Sequence, residues 1–265
     1  MRTARNGRLI NSLSRGVEIL RLLARAAGPL GVTELAERLK VDPSTAYRLL
    51  ATLEVAGFVQ QEPGSKKYAV GYGVLEIASA LQRRLSVARL AEPYLRSISD
   101  LTHESTHLAV LDGTRAVFVA RQSGAGILRV ETSIGSSEPT YCTAVGKALL
   151  ADYDEPRLRE LFGAAELERH TPQTITTFAA LAAELERVHR TGYAYDDEEL
   201  HPGVRCLASP VRDHHGRIVA AFGLSMPATR LTREHLPALA ERIMGAALGI
   251  STQLGFVPVQ AAATS

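Results

Sequence analysis

The chain has 265 residues, room for a small domain and a larger one, and 46% of them are hydrophobic, so a substantial core is available. The net charge of +2 is unevenly spread: residues 1–90 hold 14 Lys and Arg against 7 Asp and Glu, and the remainder hold 16 against 21. Such a basic head on an acidic body suggests that the head alone meets nucleic acid. Cys142 and Cys206 lie too far apart in the chain for a disulfide framework or a thiolate zinc site. They fit a reducing cytoplasm, and no apolar run nears the roughly 20 residues a membrane helix needs.

In chain order, Met1 to Ile10 is basic with no apolar stretch behind it. It reads as a flexible arm able to touch DNA rather than as a signal peptide. Ser14 is placed to cap a first helix running to about Ala27, with Val17, Leu20, Leu23 and Ala24 on one face and Gly28-Pro29 ending it. Thr33 to Val59 then reads as two short helices. Thr33 is the expected N-cap of the first, whose stripe is Leu35, Ala36 and Leu39; Lys40 to Asp42 form the turn. Asp42 and Pro43 suit the cap and first position of the second helix, and Ala46, Leu49, Leu50 and Leu53 face back onto the first. Its outward face carries Ser44, Thr45, Tyr47 and Arg48, all hydrogen-bond donors, in the layout of a helix-turn-helix whose second helix enters the major groove. Phe58 to Gln60 and Lys66 to Val70, around Pro63-Gly64-Ser65, form a hairpin with Lys66 and Lys67 at its tip. Three helices followed by a basic hairpin make a winged helix-turn-helix, with the two lysines over phosphates.

Val74 to Leu81 at helical spacing marks a connecting helix to about Arg84, and Ala91 to Leu101 another helix. His107 to Asp112 and Ala116 to Arg121 are paired strands, Ile127 to Thr132 a further strand, and Ile134-Gly135 opens a polar loop. Helices follow at about Thr143 to Asp152, Pro156 to Phe162 and Phe178 to Arg190. Cys206 to Val211 and Ile218 to Ser225 read as a hairpin, and Thr232 to Leu248 as a long closing helix. The fold class is α+β with an antiparallel sheet in the C-terminal region.

Four stretches could carry chemistry. His103-Glu104-Ser105-Thr106-His107 matches the zinc-protease signature, but the helix pattern ends near Leu101 and His107 begins a strand, so the two rings do not share a helix face. Gly146-Lys147 fails as a phosphate loop, because Tyr141 stands where the first glycine belongs and Ala148 where a hydroxyl would hold magnesium. A cysteine nucleophile at Cys142 or Cys206 lacks a local signature, since a buried cysteine is usually small apolar filler. Tyr141 to Leu150 is a polar loop feeding a helix whose first turn is built of small residues, which suits either an anion site or an ordinary helix start. No catalytic residue, metal or cofactor is assigned. The competing class is a hydrolytic enzyme or free-standing sensor using Cys142, Cys206 or the His103–His107 motif.

On STAYRLLATLEVAGFV, TAVGKALLA (Thr143 to Ala151), GYAYDDEELHPGVRCLASPV (Gly192 to Val211) and IVAAFGLSMPATRLT, in that order, the sequence resembles the IclR family of bacterial transcriptional regulators over nearly its whole length. The resemblance implies a winged helix-turn-helix in residues 1–72, a linker helix in 73–90, and a GAF/PAS-like effector-binding domain in 91–265. It also implies a homodimer or dimer of dimers on a palindromic double-stranded operator, working as a repressor of a catabolic operon and answering to a small or aromatic organic acid. Carried onto this sequence, the DNA contacts are Ser44, Thr45, Tyr47, Arg48, Lys66 and Lys67. The effector pocket takes Ile127, Val130, Thr143, Ala144, Val145, Asp196, Cys206, Gly223 and Ser225. Two positions depart from the pattern: Gly223 replaces a serine hydroxyl, which would leave room for a larger ligand, and Glu138 replaces an apolar lining residue.

Overall fold

The computed structural model describes residues 10–84, 86–126, 130, 132–163, 166–232 and 234–257, and the chain divides into two units between residues 85 and 86. In the first unit, α1 (Asn11–Arg25), α2 (Val32–Leu39) and α3 (Pro43–Val55) bury Ile19, Leu23, Leu35 and Leu50 against one another. Ala36 and Ala46, both buried, keep side-chain bulk out of the crossing of α2 and α3. The wing is β1 (Val59–Gln61) paired with β2 (Tyr68–Val70), and α4 (Gly73–Arg84) follows. Leu30 and Tyr68 exchange backbone hydrogen bonds of 3.0 and 2.8 Å, which fastens the wing to the link between α1 and α2.

Two expected caps move. The first helix begins at Asn11, so Ser14 lies inside it and donates its N–H to Ile10 O at 3.1 Å. Thr33 is the second residue of α2 rather than its cap, because Gly31 already turns the chain and its carbonyl accepts from Leu35 N–H at 3.1 Å. Asp42 does cap α3, accepting from Thr45 N–H at 2.9 Å, with Pro43 in the first turn. Lys40 closes α2 in the left-handed region at φ 54°, ψ 49°, a conformation that strains any residue bearing a Cβ.

The second unit is a six-stranded, wholly antiparallel sheet. It comprises α5 (Ser86–Thr102), β3 (Ser105–Asp112), β4 (Arg115–Gln122), β5 (Ser137–Pro139), α6 (Ala144–Leu149), α7 (Glu155–Phe162), α8 (Phe178–Thr191), β6 (Ala194–Asp197), β7 (Val204–Arg212), β8 (Ile218–Pro227) and α9 (Leu236–Gln253). Two hairpins, β3–β4 and β7–β8, join through β3 and β8, with the short β5 and β6 at the edges, giving the order β5-β4-β3-β8-β7-β6 among the described residues. Side chains alternate between the faces. Leu108, Leu207, Phe222 and Leu224 meet Leu95 and Ile98 of α5 and Ile243 and Ile250 of α9. On the opposite face Ala109, Ala208 and Ala221 meet Ala144 and Ala148 of α6, and these small side chains let that helix sit close.

Several boundaries differ from expectation. The helix expected from Ala91 starts at Ser86 and carries Pro93 inside it. The closing helix starts at Leu236, where a proline in the first turn favours initiation, and runs to Gln253. Residues 127–129 and 131 of the strand expected from Ile127 to Thr132 lie outside the described residues, while Val130 and Thr132 have irregular backbone. The loop after Ile134 instead supplies β5, whose Glu138 stands opposite Ala116 of β4. No described helix is long and apolar enough to cross a membrane.

Candidate effector and DNA-binding sites

On α3 the outward residues are those expected, with one change in their chemistry. The Ser44 and Thr45 hydroxyls both donate to the Asp42 carboxylate, Thr45 at 2.7 Å, so their protons are engaged and only their lone pairs face outward. The Ser44 and Thr45 hydrogen bonds together hold the Asp42 carboxyl well below the usual range. Tyr47 is more than half exposed, and Arg48 is exposed with no hydrogen-bond partner for its guanidinium among the described residues. Lys66, itself left-handed at φ 53°, and Lys67 are exposed at the wing tip.

In the second unit the sheet register sets two polar rows on the face that carries α6. One runs Ser105–Ser225–Cys206–Asp196 and the other Arg121–His107–Gly223–Ala208. Asp196 is 3% exposed; its Oδ1 accepts from Glu199 N–H at 2.8 Å, and burial pushes its carboxyl up to about 7. The Cys206 Sγ and Ser225 Oγ lie 3.1 Å apart. Thr143 caps α6, accepting from Gly146 N–H at 3.2 Å and donating to Pro139 O at 2.8 Å; the Ala144 and Val145 N–H groups, in the first turn, have no intrahelical partner. Thr143, Ala144, Val145, Asp196, Cys206, Gly223 and Ser225 are thus placed on α6 or on the sheet face it covers. Ile127 lies outside the described residues, and Val130 is half-buried in irregular backbone.

The room expected over Gly223 is filled. A Cβ there would lie 2.5 Å from His107 Nε2 and 2.7 Å from Val145 Cγ1, so the imidazole stands where a serine hydroxyl would reach. His107 is 3% exposed and edge-on to Phe118, and burial pushes it down to about 4, leaving it uncharged at neutral pH. Gly223→Ser should therefore cost about 1–3 kcal/mol of stability by overpacking. Urea unfolding checks this, and His107→Ala in the same chain should recover part of the loss.

Sequence reasoning missed a buried charge network. Lys147, 1% exposed, donates to Tyr195 O and to Glu199 Oε1, and lies 3.6 Å from Glu184 Oε1, which itself pairs with Arg187 at 2.8 Å. Glu199 fixes Asp196 through its backbone N–H, so Lys147 ties α6 to the strand that carries Asp196. The enzyme alternatives lose their geometry. His103 sits left-handed at φ 61° outside any helix, His107 lies on β3, and Glu104 is paired with Arg230 at 2.5 Å. Burial pushes the Cys142 thiol up to about 12 and the Cys206 thiol well above its usual value, the reverse of an activated nucleophile.

With this geometry in view, residues 12–63 match the IclR helix-turn-helix domain and residues 79–252 match the bacterial transcriptional regulator IclR C-terminal domain. The chain belongs to the IclR family. It is 35% identical over 227 residues to the HTH-type transcriptional regulator KdgR of Escherichia coli K12, an alignment covering 86% of each chain. The IclR of Thermotoga maritima, 33% identical, superposes with a TM-score of 0.78 over 93% of this chain and 99% of that one. An IclR homologue from Microbacterium hydrocarbonoxydans, solved with 4-hydroxybenzoate, shares the fold at a TM-score of 0.80 and 23% identity, over 92% of this chain and 98% of that one. IclR family members are DNA-binding transcriptional regulators, not enzymes, and the α+β class and winged helix-turn-helix expected from sequence stand.

Proposed function

We propose that this IclR-family regulator is a cytoplasmic repressor of a catabolic operon, released from a palindromic operator by a small or aromatic carboxylate. The observation that carries the reading is the pairing of an exposed α3 face with a separate sheet-and-helix site whose polar groups face inward. Two copies would set two α3 helices into successive major grooves, and the dimer or dimer of dimers would give the operator its symmetry. Arg48 reads a base, the lone pairs of Ser44 and Thr45 accept from base or sugar donors, Tyr47 packs beside them, and Lys66 and Lys67 hold phosphates. The effector carboxylate meets the amides of Ala144 and Val145. Cys206, Ser225 and Asp196 orient the rest of the molecule, with Ile127 and Val130 as its apolar wall. The 4-hydroxybenzoate complex of a protein with this fold supports a site of that kind. Residues 73–90 would carry the response to the DNA-binding unit, and only a ligand that binds the two arrangements unequally can shift them.

Arg48→Ala should weaken operator binding by about 1–3 kcal/mol and blur preference at one base pair. Titrations of the upstream DNA of its own gene, repeated over a range of salt, test this. Loss of affinity that rises steeply with salt is expected, whereas undiminished binding by the variant removes Arg48 from base readout.

A further inference from the structure

The start of α3 has a one-sided hydrogen-bonding polarity. Asp42 is exposed, and its carboxylate collects three hydrogen bonds. Oδ1 accepts from Thr45 N–H at 2.9 Å and from the Ser44 hydroxyl, and Oδ2 accepts from the Thr45 hydroxyl at 2.7 Å. A hydroxyl has one proton to give and two lone pairs. A hydrogen bond to an ionised acceptor is about twice as strong as a neutral one, so both protons stay on Asp42 rather than rotating outward. The backbone does not reverse this. Pro43 has no N–H, Thr45 gives its own to the Asp42 side chain, and Ala46 gives its own to the Asp42 carbonyl at 3.1 Å. This end of the helix therefore presents acceptors to a partner: two hydroxyl oxygens beside a carboxylate. Donors come one turn later, at Arg48, on the same face as Ser44.

Phosphate oxygens only accept, and a carboxylate brought beside them adds repulsion, so an acceptor-only helix start is unsuited to the phosphates. In the major groove the donors are adenine N6 and cytosine N4, whereas guanine and thymine present acceptors at N7, O6 and O4. We infer that Asp42 is a positioning residue for operator readout: it fixes the Ser44 and Thr45 hydroxyls as acceptors, so that the start of α3 reads a base through its exocyclic amino group. The inference rests on the operator reading above and narrows it. Within one half-site the protein then uses both polarities, with Ser44 and Thr45 accepting from an amino group and Arg48 donating to a guanine.

The test uses the full chain, wild type and Asp42→Asn, on a duplex enriched by the wild type from a random pool. Asparagine caps a helix as well as aspartate does and keeps an oxygen for the Thr45 N–H. Its amide NH2 now gives the Thr45 hydroxyl a proton instead of taking one, which frees that hydroxyl to donate. Amino groups are then deleted one base at a time across the half-site, with purine in place of adenine and pyrimidin-2-one in place of cytosine. At one position or more the deletion should weaken wild-type binding about tenfold and Asp42→Asn binding less than about threefold. Replacing the guanine read by Arg48 with 7-deazaguanine, which lacks the N7 acceptor, should weaken both proteins equally. If no deletion weakens wild-type binding, the inference is overturned and the operator reading stands. If deletions weaken both proteins alike, it is also overturned, and Asp42 is a helix cap and nothing more. A pool from which no sequence is enriched overturns both readings.

Discussion

Gly146→Ala should be the most damaging single methyl group that can be added to the C-terminal unit. The Cα of Gly146 lies so close to the chain before it that a Cβ would overlap the Thr140 Cα and carbonyl oxygen and stand 2.6 Å from its carbonyl carbon. These are backbone atoms, so no rotamer change relieves the overlap; either α6 lifts from the sheet or the segment from Thr140 to Thr143 shifts. Overpacking of a tight core costs about 1–3 kcal/mol even where side chains can yield. With backbone on both sides, the expected loss is about 3 kcal/mol or more, a large share of a typical domain's stability. The same glycine donates its N–H to the Thr143 cap, so the start of α6 is disturbed together with the packing. Chemical denaturation should show the C-terminal unit unfolding early, and the variant should lose its response to ligand. A variant as stable as the parent would mean that the approach of Thr140 to Gly146 is far looser than described.

Lys147→Met should come close behind. The ammonium it removes sits among Tyr195 O, Glu199 and Glu184, with 1% of the lysine side chain and 7% of the Glu199 side chain exposed. Removing one member of a buried pair leaves the other as an uncompensated charge, at a cost of about 3–5 kcal/mol. Glu184 keeps Arg187, so the deficit falls on Glu199, whose carboxyl is already raised by burial and held down in part by Lys147. The sign with pH follows. Without the lysine the folded-state value rises further above the unfolded one, so the variant is favoured at low pH and loses stability as pH rises through that raised value. Urea unfolding at about pH 5 and pH 7 should therefore show the gap from wild type narrowing on acidification. Lys147→Met combined with Glu199→Leu should recover much of the loss, because the whole charged pair then leaves the interior. A deficit that is independent of pH would assign the effect to packing alone.

What could be read from sequence follows the range of the forces involved. The Asp42-Pro43 start of α3, the stripe Ala46, Leu49, Leu50 and Leu53, and the turn at Lys40 are local, and a few neighbouring residues specify each. The hairpins around Asp112-Gly113 and His214 to Arg217 are local in the same way. β5 was hidden because Ser-Glu-Pro has no strand propensity of its own; its pairing partners, Arg115 to Val117, make it a strand. Lys147 looks like an ordinary surface lysine in a short helix until Glu199 is brought across the fold to meet it. Gly223 signals a missing side chain, but only the register of β3 with β8 reveals that His107 takes the space. Asp196 falls between: an acidic run reads as a solvated loop, yet strand alternation turns this one carboxylate inward.

The two borders of the large sheet also matter for how copies of the molecule meet. On one side the last described strand has three residues and on the other four, so each border offers a newcomer only a few unpaired amides and carbonyls. Main-chain ladders that could extend indefinitely from one molecule to the next have almost nothing to start from. Contacts between copies of this domain are therefore expected to be made by side chains on its helices and loops, where the sequence can specify a closed assembly rather than a growing fibre.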